Sequence, residues 1–519
     1  LNLREKKERV VKNAVFIAYF FNFFARQYQL PIDTMAHMRP TTPLQSKIPY
    51  EPSSEPLKGS LTALGGTAVT SWLFRGMSLP GSCDANLDFL RKISLGYTAG
   101  QMVESITSGL LLGIDCVEDM DMMRDDEALE KILGYKVPST RCVRDWLDKF
   151  HDPDLVLAAR DRASELNLKA SVPDPSAGLR ALQNVLGTSA RQAASRHPGG
   201  IPKSATLDSD GTIIESHKAE AKKAYEGTIG YQPLTTLWAE ADVIVSTEFR
   251  DGNVPGAMDP LTCIKQGFSE IPKSVSDLAF RGDSANDNNE LLDWLDNPCR
   301  EGGPQGVKIK YAISARMVNE LVDATKRVAD EQWVTVNTYN DGTLRQWAEL
   351  DYVPSMSTER KDAQPRRYIG IRILKKQGEL FNDGHDRKHF AVVTNRKEAG
   401  NLVIDWHREK AGTIEHTQSE MKTALAGARP PSNRFGANAA WFMLNAIAYN
   451  MASALRAATS ELDMKKAHIK KLRFRYLTIT ARITRFSRKM TLRFAACQNR
   501  IKALLASLKA FPCRIQPTG

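Results

Sequence analysis

Apolar residues recur every three to four positions through residues 87–93, 101–112 and 127–133, the period of a helix with one buried face. Ser139, behind Pro138, is placed to cap a further helix over 140–150 that carries Arg141, Arg144 and Trp146. A packed helix with a basic face and a helix lying in a groove of DNA share that pattern. Residues 178–196 repeat the helical period and end at the Pro-Gly-Gly break of 198–200. The pattern then changes. Short apolar runs at 204–207, 234–238, 243–246 and 275–280 predict strands, with a helix at 260–268 among them. Strands are next expected at 307–313, 333–339, 368–374 and 390–394. A long helix over 405–425 and a largely apolar one over 434–453 follow. Helices first, then strands alternating with helices, make the fold class α/β.

With 519 residues, 42% hydrophobic and 25% charged, the composition is that of a globular chain of about three domains. The mean hydropathy is −0.36, and no apolar run reaches the roughly 18 residues of a membrane span, which excludes a polytopic membrane protein. Near the start, Lys6, Lys7, Arg9 and Lys12 precede an apolar run, 14–25, broken only by Asn22. Arg26 and Gln27 follow where a signal peptide needs small residues, and the run is too short to cross a bilayer. Neither export nor an anchor is expected, although a chain beginning at Leu1 leaves the status of residues 1–57 open. Pro-rich residues 39–56 read as a linker. None of the seven cysteines has C-x-x-C spacing, and their number is odd. Neither a zinc ribbon nor a disulfide framework is indicated, and a reducing cytoplasm fits.

Charge changes the picture more. The net charge is +11, yet residues 464–519 hold fifteen Lys and Arg and no acid. That tail carries +15 and leaves residues 1–463 at −4. A cationic tail on a slightly acidic body points to a polyanionic partner, nucleic acid before an anionic membrane surface.

Acidic residues at strand ends are the candidate chemistry. Asp208 and Asp210 close the run at 204–207, two positions apart and so on one face. Asp283 closes the run at 275–280. Carboxylates at the carboxyl ends of adjacent strands converge on one crevice, an arrangement that suits Mg²⁺. The plainer reading is that these aspartates cap turns, as Asp-Ser and Asp-Gly often do.

Two families offer themselves. Asp208-Ser209-Asp210-Gly211-Thr212 and Gly282-Asp283-Ser284-Ala285-Asn286-Asp287 resemble the motifs of haloacid-dehalogenase-like phosphohydrolases. There Asp208 would be the nucleophile, Ser246 or Thr247 the phosphate-binding hydroxyl, and Lys265 or Lys273 the basic residue. A second resemblance uses more of the chain. Glu415 lies in the expected helix of 405–425, and Lys422 follows seven residues later on the same face. With Asp210 and Asp283 this resembles the Asp-Asp-Glu transposases of bacterial insertion sequences, in particular the group called IS thirteen-eighty. Supporting segments are Tyr225 to Pro233, Phe249 to Asn253, Arg281 to Ser284, Phe390 to Asn395 and Arg434 to Asn438. Related transposases often carry a tyrosine seven and an arginine four residues before the glutamate. Here those positions hold Arg408 and Ala411.

The transposase resemblance implies a ribonuclease-H-like mixed-sheet core, in residues 201–300 and 390–460. A β-rich insertion at 301–389 would separate the halves. The helical region, 58–200, would bind DNA and dimerise, and the tail, 461–519, would add phosphate contacts. Asp210, Asp283 and Glu415 would hold two Mg²⁺ ions (or Mn²⁺), with Asp208 as the alternative first acid. Lys422, Arg408 and Lys410 would contact DNA. The partners implied are transposon ends and target DNA, bound by a homodimer in the bacterial cytoplasm at the nucleoid. A relic that binds DNA without cleaving it would retain the same motifs. His407 and His416, nine residues apart with no cysteine partner, read as polar helix residues rather than zinc ligands.

Overall fold

The structure is a computed structural model, and it describes residues 60–91, 96–355, 365–375, 387–459, 461–487, 489–495 and 498–509. The apolar run and linker expected within residues 1–57 lie outside them. Helices come first: α1 (Thr67–Gly76), α2 (Leu79–Leu87), α3 (Ala99–Leu112), α4 (Asp119–Asp125), α5 (Glu127–Leu133), α6 (Thr140–Leu147), α7 (Pro153–Glu165) and α8 (Ala177–Ala194). The starts of α3, α5, α6, α7 and α8 carry side-chain caps that satisfy otherwise unpaired amides. Thr98 and Gln101 form a capping box on α3, and Ser139 and Ser176 cap α6 and α8. On α6, Trp146 is buried and Arg144 pairs with Glu118, so this helix is packed.

The strands are β1 (Ser60–Thr62), β2 (Ser204–Gly211), β3 (Ile214–Glu215), β4 (Lys222–Lys223), β5 (Ile229–Tyr231), β6 (Leu234–Trp238), β7 (Val243–Glu248), β8 (Asp277–Gly282), β9 (Lys310–Ser314), β10 (Val334–Thr338), β11 (Leu344–Leu350), β12 (Arg367–Leu374), β13 (Arg387–Thr394), β14 (Ala481–Phe486) and β15 (Lys489–Phe494). The central sheet has nine of them, in the order β10-β11-β12-β13-β9-β8-β2-β6-β7. β2 is antiparallel to β6 and parallel to β8, and β8 is parallel to β9. From β9 outward the sheet continues as an antiparallel meander. The strands between Asp283 and Glu415 therefore extend the central sheet instead of forming a body of their own.

Later helices are α9 (Pro260–Ser269), α10 (Asn289–Asp296), α11 (Asn319–Arg327), α12 (Gly400–Arg408), α13 (Ile414–Thr423), α14 (Phe435–Ala458), α15 (Ile469–Leu472) and α16 (Gln498–Lys509). Both sheet faces are covered around β2. On one face Thr236 meets Ser209 and Cys263 of α9. On the other, the Asp208 and Asp210 side chains meet the segment joining α12 to α13. Gly400 lies against the Trp347 ring, where a Cβ would come within 2.3 Å, so α12 can approach β11 only with glycine there. α14 is buried almost throughout, consistent with its apolar sequence. Its Asn450 accepts from the Ile244 amide at 2.7 Å and donates to the Ile244 carbonyl at 2.8 Å. That side-chain amide satisfies part of edge strand β7.

Three expectations need correction. The helix expected over 405–425 is broken. A 3₁₀ turn, Glu409–Gly412, separates α12 from α13, and Thr413 stands outside helical geometry at φ −111°, ψ −80°. Gly412 weakens the helix there, and the Thr413 hydroxyl is drawn to Asp208 instead. The first strand does not stop at Leu207. Pairing with β6 carries it to Gly211, so both aspartates lie within it. Residues 471–483 alternate basic and apolar positions almost residue by residue, the period of a strand or amphipathic segment, yet they are helical before they are extended. Ile469, Leu472, Tyr476 and Leu477 are buried along α15 and the π turn Arg473–Leu477, and the strand begins only at Ala481.

Candidate active site

Asp210 and Asp283 leave the ends of neighbouring parallel strands. Ser209 pairs with Gly282, so the next residue on each strand is one of the two acids. Burial raises the Asp210 pKa first. The Lys410 ammonium lowers it, and the charge of Asp283 raises it again. Lys410, itself buried, donates to Asp210 Oδ2 at 3.0 Å. Asp283 is half-buried, and its Oδ1 accepts from the Ala285 amide at 3.1 Å and from Asn286 Nδ2 at 2.9 Å. It therefore also does the capping that the plainer reading expected.

Asp208, two residues before Asp210, has a different environment. It is fully buried, and Arg281 grips both its oxygens at 2.7 and 2.9 Å. The same guanidinium donates to the Trp406 carbonyl at 2.8 Å and to Glu409 at 2.9 Å, and it lies over the Trp406 ring. His407 Nε2 reaches the Gly282 carbonyl at 3.0 Å, and burial holds its pKa down. Arg281, Trp406, His407 and Thr413 thus tie the end of β8 to the segment that precedes α13.

On α13, Gln418 donates to the Asp210 carbonyl at 3.1 Å, and Lys422 to Thr212 Oγ1 at 3.0 Å and the Ile213 carbonyl at 3.3 Å. Glu415 lies three residues before Gln418 and seven before Lys422, on the face turned to the end of β2. It sits in the first turn of α13, where the helix dipole favours a carboxylate. It is exposed and has no hydrogen-bond or ion-pair partner among the described residues. The structure thus brings Asp210, Asp283, Lys410 and Lys422 to the end of β2, with Glu415 on the helix docked there. Arg408 ends α12, exposed to solvent.

The donor set is carboxylate oxygen throughout, as hard divalent cations require. A buried ammonium already stands against Asp210, where the charge of the acidic pair calls for a cation. The residues therefore fit Mg²⁺. The phosphohydrolase reading fares worse. Its nucleophile, Asp208, has no free oxygen, and Ser246 donates to the Cys263 carbonyl on the opposite face of the sheet. Sequence spacing gave no sign of the roles of Arg281, Thr413 and Gln418. Arg281 stands in the sequence beside Asp283, but nothing in one sequence shows that it lies opposite Asp208 on the neighbouring strand.

The profile of the family described as Transposase DDE domain group 1 matches residues 59–512. The chain belongs to that family. This DNA transposase also resembles a solved structure titled as the cryo-EM structure of the piggyBac transposase synaptic complex with hairpin DNA. Identity is 10% over 81% of this chain and 83% of that one, with a TM-score of 0.42. No curated protein matches the transposase. None of its described helices is long and apolar enough to cross a membrane.

Proposed function

We propose that this transposase cuts and joins the ends of a bacterial insertion sequence of the IS thirteen-eighty group, using Asp210, Asp283 and Glu415 as its catalytic acids. The observation that carries the reading is the pairing of Asp210 and Asp283 at the ends of parallel strands, with the Glu415 helix docked on β2 through Gln418 and Lys422. A ribonuclease-H-like core agrees with the strand order β7-β6-β2-β8-β9, antiparallel in its first three members and parallel in its last two.

Asp210, Asp283 and Glu415 would hold Mg²⁺ or Mn²⁺, two ions at most sites of this type. Bound there, the metal supplies an activated water or DNA 3′-hydroxyl and stabilises the leaving oxygen. The chain's own residues do the rest. Lys410 pairs with Asp210 and, were a cation to take that place, would turn to a DNA phosphate. Lys422 anchors α13 on the β2 turn beside the backbone it would contact, and exposed Arg408 offers a further phosphate contact. Asp208 and Arg281 position the strand end without touching substrate. Duplex DNA, bound by a homodimer at the bacterial nucleoid, is the partner this reading requires.

The test is nicking of plasmids bearing candidate transposon ends, with Mg²⁺ varied. Asp210→Asn, Asp283→Asn and Glu415→Gln are each expected to lower cleavage by at least about a hundredfold, ~2.7 kcal/mol of barrier, while end binding persists. Cleavage that survives Glu415→Gln would remove the helix from the active site. Binding without Mg²⁺-dependent cleavage in the unmutated chain would instead identify a DNA-binding relic.

A further inference from the structure

A second cluster of ligand-type side chains lies on the other side of α13. His416 and Glu420 are four residues apart and so share a helical face. His468, at the entry to α15, meets them from a distant part of the chain. The His416 and His468 rings pack edge to face with centroids 4.8 Å apart, and His468 Nδ1 lies 2.7 Å from Glu420 Oε1. Ligand atoms of the three residues all lie within 4.8 Å of one another. Glu420 is buried at 3% exposure. Its other oxygen accepts from the Ile469 amide, with the Arg456 guanidinium 3.9 Å away. Oε1 is thus the oxygen turned to the His468 imidazole.

We propose that His416, Glu420 and His468 form a binding site for a zinc-class divalent ion, separate from the carboxylate centre at Asp210 and Asp283. Two imidazoles and one carboxylate are the donors that Zn²⁺ accepts, whereas Mg²⁺ prefers oxygen alone. Zinc–ligand distances of about 2.0–2.2 Å place tetrahedral donors roughly 3.3 Å apart. The observed spread would close to that by a small turn of the His468 side chain, which is 68% exposed. A cavity of about 600 Å³, lined by His416, Thr413, Asp242, Lys465 and Lys466, adjoins the cluster at His416 and would leave room for a water ligand. The ion would clamp α13, the helix that carries Glu415, to α15 at the root of the basic tail. It would act as a positioning device and contact neither substrate nor the reacting atoms.

The competing account is an ordinary ion pair between His468 and Glu420, with His416 stacked beside it. The two accounts differ in what a metal probe reads. The full-length chain, freed of metal by chelator, is titrated with Co²⁺ and then with Zn²⁺. One equivalent of Co²⁺ is expected to give the strong visible absorption of a four-coordinate site, and Zn²⁺ should abolish it. His468→Ala, whose side chain is mostly exposed, should lose the absorption and stay folded by circular dichroism. His416→Phe should also lose it, while keeping the ring-on-ring contact. Asp210→Asn should retain it, because the catalytic acids are not ligands here. No visible band in the unmutated chain, or a band that survives His468→Ala and His416→Phe, would overturn the site. A band lost in Asp210→Asn would overturn it too, by assigning the Co²⁺ to the carboxylate centre.

Discussion

Asp208 and Asp210 lie two positions apart on one face of β2, and their neighbours give them opposite tasks. Asp208 shares a wholly buried bidentate pair with Arg281, both side chains at 2% exposure or less. Removing one partner of such a pair strands the other charge, at a cost of about 3–5 kcal/mol. Asp208→Ala is therefore expected to lose stability on that scale in denaturant unfolding. Asp210→Asn should lose much less, because burial already disfavours its charged form. Equal losses would mean that Asp208 does not carry the structural role. Asp251 gives a pH prediction at the same scale. Burial, only partly offset by Arg160 and Lys222, pushes its pKa from 3.8 to about 6. Below pH 3.8 folded and unfolded chains are both protonated there, and no penalty arises. Between the two values the unfolded chain ionises while the folded chain resists. Above about pH 6 the penalty is complete, about 3 kcal/mol. Asp251→Asn should therefore match the unmutated chain in thermal unfolding near pH ~3 and exceed it near pH ~7. A constant difference across that range would show that the Asp251 carboxyl is not perturbed.

Elements were legible in the sequence where one face of a segment meets one neighbour. The helix periods and the Ser139 cap appear in α3, α5, α6 and α8 where the apolar spacing put them. The strands that carry Asp210 and lead to Asp283 were legible for a similar reason, as short apolar runs ending in turn-like acidic residues. Elements whose geometry is set by tertiary contacts were not. β11 reads Leu-Arg-Gln-Trp-Ala-Glu-Leu, and both Arg345 and Gln346 are buried beside Trp347, so no clean alternation survives. The break between α12 and α13 depends on Thr413 reaching Asp208, some two hundred residues away in sequence. The same holds at the site. The resemblance, not spacing alone, suggested the acids and Lys422, and it expected Lys410 to face DNA, whereas Lys410 is found against Asp210. That contact exists only once β2 and the 3₁₀ turn are packed together. The cluster of His416, Glu420 and His468 was equally hidden, because its third member comes from another segment.

At the scale of the whole molecule, the charge asymmetry does not fall on one uniform tail. Its first part is built into the body. Arg473 donates to the Leu110 and Leu111 carbonyls at the end of α3, and Arg475 pairs with Glu461. These cations satisfy helix ends and an acid, so they are not available to DNA. The next part is the β14–β15 ribbon, which β1 fixes to the body through Leu61 and Arg482. Ile483 and Leu492 of the ribbon face Trp72 and Ile132. Its other face carries Arg482 directly opposite Arg493, and Phe486, 87% exposed, opposite Lys489. Like charges placed directly opposite destabilise a strand pair, and no described acid pairs with Arg482, Lys489 or Arg493. A polyanion would relieve that repulsion, and a two-stranded ribbon is narrow enough to enter the major groove of B-DNA. Replacing Arg482, Lys489 and Arg493 together by Ala should weaken binding to every duplex. The slope of log affinity against log salt should shrink by about 0.9 for each phosphate no longer neutralised, up to roughly three in all. Preference for transposon ends over random DNA should change less, because phosphate contacts position a protein without reading sequence. Arg473→Ala and Arg475→Ala should leave that slope unchanged, since both side chains are committed to the body. A slope insensitive to the triple replacement would make the ribbon a structural cover for α1 and α5, and the DNA surface would have to lie elsewhere.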